Sequence, residues 1–311
     1  MSVAVKIGKK AILLTNGIIN TSVMIIILLL VAVGCYAIWD SNQVFQTANA
    51  ARYEIYKPTV KDEGKSFAEL QAVNPDIFGW LTVYGTHIDY PVVQGLDNMH
   101  YVNYNAEGEY SLSGAIFLDT HCNCSFSDFN SIIYGHHMEK QAMFGEIGCF
   151  NEKTYFDSHK YGMIYYDGQE HGLEFFAIVH ADAYDSSVFK TGITKREDQQ
   201  AYLDMLLDRA IHFREIQATA DDRIVLLSTC SASSTNGRDM LVARITDEIY
   251  EDTFKIHETE NIIRKMLTVD GLAGLWPQIS VLLKLALIGL LFLLRNRFNK
   301  KYSHDISDER R

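Results

Sequence analysis

Two long apolar runs bracket a middle region in which short apolar stretches alternate with polar turns. Residues 11–39 carry no charge, residues 23–38 are almost wholly apolar, and Lys6, Lys9 and Lys10 precede them. About 20 apolar residues suffice to cross a bilayer, and basic flanks stay on its inner side. The pattern predicts a cytoplasmic segment over 1–18 and a transmembrane helix over 19–39. A cleaved signal peptide is the alternative, but no Ala-x-Ala site follows the run. The second run, 279–294, follows Trp276 and Pro277 and precedes Arg295, Arg297, Lys300 and Lys301. It predicts a second transmembrane helix over 276–294 and a basic cytoplasmic tail over 295–311. Lys284 lies inside this run and would have to snorkel toward the Trp276 end; a helix lying in the membrane interface is the competing reading. Two cytoplasmic ends leave the middle of the chain outside the cell.

Within that middle, residues 40–66 are polar and charged and read as a helical extracellular stalk. Residues 67–258 form the domain proper. Segments 80–84, 87–90, 115–118, 131–134 and 173–179 are rich in β-branched and aromatic residues, and Gly79, Gly85, Gly95, Gly108 and Gly114 punctuate them. Two further apolar runs cover 224–227 and 240–245. Many short strands with few helices predict a mainly β domain, closed into a barrel. One long helix interrupts the strands. Thr194 and Glu197 read as its capping box, and Tyr202, Leu203, Leu206, Leu207 and Ala210 recur at helical spacing. A connecting helix over 259–275 leads into the second apolar run.

A formal net charge of −11 argues against nucleic-acid binding, which requires basic patches. Five cysteines are too few, and odd in number, for a disulfide framework. His121, Cys122 and Cys124 cluster, but no second pair completes four metal ligands, so neither a metal nor a cofactor is expected. These three read as loop residues, the lesser alternative being a pairing of Cys122 or Cys124 with Cys149.

The chemistry concentrates at the ends of apolar runs. Cys230 closes Ile224-Val225-Leu226-Leu227-Ser228-Thr229-Cys230, and Arg238 opens the next run. His136 and His137 close Ile132-Ile133-Tyr134-Gly135. Thiol, imidazole and guanidinium at strand ends are the parts of a cysteine acyl-transfer site, although a free cysteine is as often an inert core thiol. Strand alternation lets only one of the two histidines face the thiol. Arg238 and Arg244 lie on one face of their strand, roughly two nanometres apart if it is extended. The residues alone leave both choices open.

Leu227-Ser228-Thr229-Cys230, followed by Asn236-Gly237-Arg238 and Leu241-Val242-Ala243-Arg244, resembles the active-site strand pair of class B sortases. Four further blocks resemble that family in the same order: Asn74-Pro75-Asp76-Ile77-Phe78-Gly79-Trp80, Tyr90-Pro91-Val92-Val93-Gln94-Gly95, Gly114-Ala115-Ile116-Phe117-Leu118-Asp119, and Phe126-Ser127-Asp128-Phe129-Asn130-Ser131-Ile132-Ile133-Tyr134-Gly135-His136-His137-Met138. The resemblance implies an eight-stranded sortase barrel with Cys230 as nucleophile, His136 as acid and base, Arg238 as catalytic arginine, and Ser228 and Thr229 in contact with substrate. It leaves His137 solvated. It further implies cleavage of a C-terminal sorting motif, beginning Asn-Pro in class B, through a thioester. The acceptor would be a cell-wall peptide amine, or a pilin lysine in a pilus-building enzyme; a hydrolytic thiol peptidase is the remaining alternative. The expected partners are therefore secreted proteins with a sorting signal, the acceptor amine and the membrane.

Overall fold

The computed structural model describes residues 3–58, 65–231 and 235–255. The expected connecting helix, second span and basic tail lie outside the described residues. Helix α1, Val3–Thr47, contains the stretch Leu14–Thr47, whose most apolar 18 residues reach a mean hydropathy of 2.6 with none of them buried. It is long and apolar enough to cross a membrane.

The stalk differs from expectation. The helix ends at Thr47, and the chain then turns onto the barrel through two short 3-10 turns, Ala50–Arg52 and Glu54–Tyr56. Asn49 caps the first turn through its side chain. Ala48 and Tyr53 are buried, and the Tyr90 hydroxyl donates to the Ala48 carbonyl at 2.8 Å. Lys57 then anchors the segment: its Nζ lies 2.6 and 2.7 Å from the two Asp89 oxygens, and Trp80 Nε1 and Thr82 Oγ1 also donate to Asp89. These contacts tie the segment leaving the helix to the barrel wall.

After α2 (Lys65–Val73) come strands β1 (Ile77–Val83), β2 (Asp89–Val93), β3 (Ile116–Leu118) and β4 (Asn130–Tyr134). Then follow α3 (Lys153–Ser158), β5 (Tyr161–Tyr166), β6 (Gln169–Asp182), α4 (Arg196–Asp208), β7 (Ala210–Phe213), β8 (Arg223–Cys230) and β9 (Gly237–Thr246). The sheet runs β5-β1-β2-β3-β4-β8-β9-β6, and β5 pairs with β6 to close an eight-stranded barrel. The short β7 lies beyond β5 on the same edge of β6.

The long apolar run of β8 is explained by burial on both faces. Val225 and Leu227 join one core cluster with Leu241, Ala243 and Ile178. Ile224 and Leu226 join a second with Met240, Val242, Val179 and the buried face of α4: Tyr202, Leu203 and Leu206. A strand sandwiched in this way shows a continuous apolar run instead of alternation.

The start of α4 departs from the expected capping box. Arg196 is the first helical residue, and Lys195 stands at the cap without a side-chain bond, so Thr194 lies one position too early to close the box. Glu197 and Asp198 still place negative charge at the positive end of the helix dipole. The helix also ends sooner than its apolar period suggests, for Ala210 already belongs to β7.

Candidate active site

β8 and β9 run antiparallel in unbroken register, and Cys230 lies directly opposite Arg238. Residues opposite each other in such a pair share a face, with Cβ atoms about 4.5–5.5 Å apart. On the other side of β8, β4 runs parallel with Tyr134 opposite Ser228, and the Gly135 amide donates to the Ser228 carbonyl at 3.1 Å. One residue further along is His136, so imidazole, thiol and guanidinium all stand at the same mouth of the barrel. The Cys230 residue is exposed, whereas His136 and Arg238 are half-buried. An Arg238 guanidinium nitrogen donates to the Gly237 carbonyl at 3.0 Å, leaving the rest of its donor fork unassigned to protein in the described residues.

Arg244 belongs elsewhere. Its guanidinium pairs with Glu174 at 2.5 Å and approaches Asp222 at 3.7 Å, near the opposite end of β9. Ser228 shares the Cys230 face by alternation; it is 2% exposed, and its hydroxyl has no hydrogen-bond partner among the described residues. Thr229 needs correction. It lies on the other face of β8, 2% exposed, so strand alternation turns its side chain away from the thiol and only its backbone borders the site. His137 is also not the solvated residue expected: it is half-buried, it bridges to Met143, and its Nδ1 is buried without a partner among the described residues.

Several contributors gave no sequence signal. His136 Nε2 lies 2.8 Å from the carbonyl of Val102, in the 3-10 turn His100–Val102. Asp239, next to Arg238 but on the opposite face, is buried and takes a bond from His180 Nδ1 at 2.9 Å. Asp119 gathers the Tyr134 hydroxyl, Asn98 Nδ2, and the backbone and ring nitrogens of His121. Burial works against the Asp119 charge, but the bonds from His121, Tyr134 and Asn98 outweigh it and hold the carboxyl below its usual range. Burial, then the Asp119 charge, pushes the Tyr134 phenol up. Its ring packs 5.3 Å from Phe117 and 6.5 Å from Phe189, flanking Ser228 on the way to the site. Apart from the Asp119–His121 bonds, which join residues two positions apart, these links could not be shown by a local sequence pattern, because they join residues from separate segments.

Of the other thiols, Cys122 Sγ lies 4.0 Å from the Asn130 carbonyl and Cys124 Sγ donates to Gln94 Oε1 at 2.8 Å. Cys122, Cys124 and Cys149 are all free, which overturns the pairing held as an alternative. Burial raises the Cys122 thiol to about 12, consistent with an inert core residue. No cluster of three or more potential metal ligands occurs among the described residues.

No family model matches the chain. Sortase B of Staphylococcus aureus is 30% identical over 208 residues, which cover 66% of this chain and 81% of that protein. The solved sortase B from the type II pilus of Streptococcus pneumoniae is 49% identical, with a TM-score of 0.52, covering 58% of this chain and 99% of that one. A solved Streptococcus pyogenes class B sortase involved in pilus biogenesis is 42% identical, with a TM-score of 0.53, covering 59% and 99%.

Proposed function

The chain belongs to the class B sortase family and is a sortase transpeptidase, and on that premise we propose that Cys230 is its nucleophile, His136 its acid and base, and Arg238 its oxyanion donor. The observation that carries this assignment is the strand register. Arg238 lies opposite Cys230 on one side, and β4 delivers His136 beside it on the other.

In this mechanism the Cys230 thiolate attacks the carbonyl that follows the threonine side chain of a sorting motif. The carbonyl π electrons move onto oxygen, where the forked Arg238 guanidinium meets the developing charge. Collapse breaks the peptide C–N bond, and His136 protonates the departing amine. A thioester remains on Cys230. His136, now neutral, takes a proton from the acceptor amine as that amine attacks the thioester. The new amide leaves, and the thiolate returns. Ser228, on the same face and with an unbonded hydroxyl, is suited to contact the bound motif.

The apolar helix α1 serves in this account as a membrane anchor. With basic flanks on the inner side of each apolar run, both termini are cytoplasmic and the barrel is extracellular. Secreted proteins with a C-terminal sorting signal are the donor substrates. A pilin lysine is favoured over a cell-wall peptide amine as acceptor, because identity to the two pilus-associated class B sortases, 49% and 42%, exceeds the 30% shared with Staphylococcus aureus sortase B.

Transfer and hydrolysis are separated by adding an amine. The full chain in detergent, given a peptide with an Asn-Pro-type sorting motif, is expected to form a new amide that scales with acceptor amine. Cleavage that yields only the free acid at every amine concentration would establish a hydrolytic thiol peptidase instead.

A further inference from the structure

The hydrogen bond between His136 Nε2 and the Val102 carbonyl restricts what the imidazole can do. A carbonyl oxygen only accepts, so at 2.8 Å the ring nitrogen facing it must carry the proton. A neutral imidazole has one N–H, and the other nitrogen is then the base. From this we infer that the Val102 carbonyl is the positioning group of the catalytic histidine: it fixes the neutral ring as the Nε2–H tautomer and leaves Nδ1 as the atom that exchanges protons with Cys230 and the substrate amine. This rests on the proposed role of His136 and specifies the atom through which that role is performed.

The carbonyl is held firmly. Its neighbour Tyr101 is 1% exposed and fastened at its hydroxyl by Asn74 and Asp76, at 2.8 and 2.7 Å. Asp97 accepts from the amides of Met99 and His100, capping the turn from the front. Behind it, Ala115 donates to the Tyr101 carbonyl at 3.0 Å, and Ser111 to the Asn103 carbonyl at 2.9 Å.

Gly114 is the keystone of this arrangement. It has φ +59°, and a Cβ built on it would lie 2.6 Å from the Tyr101 oxygen, 2.7 Å from the Val102 oxygen and 3.1 Å from His136 Cδ2. Any side chain here must displace the carbonyl, the imidazole or both. Gly108, in the same loop, provides a matched control. Its φ is +82°, but a Cβ there would meet nothing within 4 Å. Gly114→Ala and Gly108→Ala therefore share backbone strain, and only the first disturbs His136.

The test uses the full chain in detergent, with 15N-labelled histidines and His136 assigned by the resonance lost in His136→Gln. At a pH where the ring is neutral, Nε2 is expected in the protonated, pyrrole-type range and Nδ1 in the unprotonated, pyridine-type range. Gly114→Ala should mix the tautomers and lower kcat by about tenfold or more with KM little changed, in keeping with the cost of misplacing a catalytic group. Gly108→Ala should leave both readouts near those of the parent. A neutral ring protonated at Nδ1, or a folded Gly114→Ala that matches Gly108→Ala in both readouts, would overturn the assignment. Full turnover by His136→Gln would remove the catalytic reading itself, and the assignment with it. The nitrogen shifts of the parent protein are decisive even if Gly114→Ala does not fold.

Discussion

Two arginines on one strand, Arg238 and Arg244, have different surroundings and so different expected roles. Arg238 faces Cys230 with most of its donor fork open, whereas Arg244 is engaged by Glu174 and Asp222. A guanidinium holds an oxyanion in fixed geometry, and an ammonium does not. Arg238→Lys is therefore expected to lower kcat/KM by about 10²–10³, the usual cost of losing one preorganised oxyanion donor. Arg244→Lys should leave kcat/KM nearly unchanged and act on stability instead. Steady-state kinetics with circular dichroism as a folding control compares them; greater catalytic damage from Arg244→Lys would displace the oxyanion site from the mouth of β9. The apolar runs marked the thiol and narrowed the other two groups to His136 or His137 and Arg238 or Arg244; the family resemblance, not the pattern, made the choice. The residues that position them were not legible in the sequence. A backbone carbonyl such as that of Val102 has no side-chain identity to read, and Asp239 and His180 meet only because β6 pairs with β9.

Elements were legible where their apolar pattern was long or doubly buried, as in β8, β9 and the middle of α4. They were missed where a neighbour's pattern ran on. Ala210 continues the helical period of α4 although it begins β7, and β5 carries Gly162 as its second residue. That glycine is required by the approach of β1: a Cβ there would lie 2.5 Å from the Thr82 carbonyl. The connections between strands carry their own electrostatics. Asp119 ties the loop after β2, through Asn98, to the loop after β3, through His121, and to β4, through Tyr134. Its carboxyl is held below the usual range when folded. A depressed acid stabilises the fold at pH above its unfolded pKa, about 3.9 for aspartate, and that contribution is lost as pH falls through the lower folded value. Asp119→Asn should therefore lower the thermal midpoint at pH 6, and the gap from the parent should narrow as the solution is acidified below about pH 4. A gap that stays constant from pH 6 to pH 3 would show that the carboxylate charge is not what holds these loops.

At the scale of the whole molecule, an apolar helix leads into a closed barrel through a half-buried Lys57–Asp89 anchor, and the proposed active site opens at the mouth where β4, β8 and β9 meet. The account places both termini in the cytoplasm. A cysteine introduced at Ser303 should stay unlabelled by a membrane-impermeant thiol reagent in intact cells and react once they are permeabilised; labelling in intact cells would mean that the second apolar run does not span. The central claim concerns one bond, the thioester between Cys230 and the cleaved sorting motif. Intact-mass spectrometry of the full chain, quenched in acid soon after mixing with an Asn-Pro-type sorting peptide and no added amine, tests it most directly. The account predicts an adduct with the mass of the N-terminal peptide fragment, mapped to Cys230, released by hydroxylamine and absent from Cys230→Ala. Peptide turnover by a folded Cys230→Ala protein, or an adduct mapped to Cys122, Cys124 or Cys149, would contradict it.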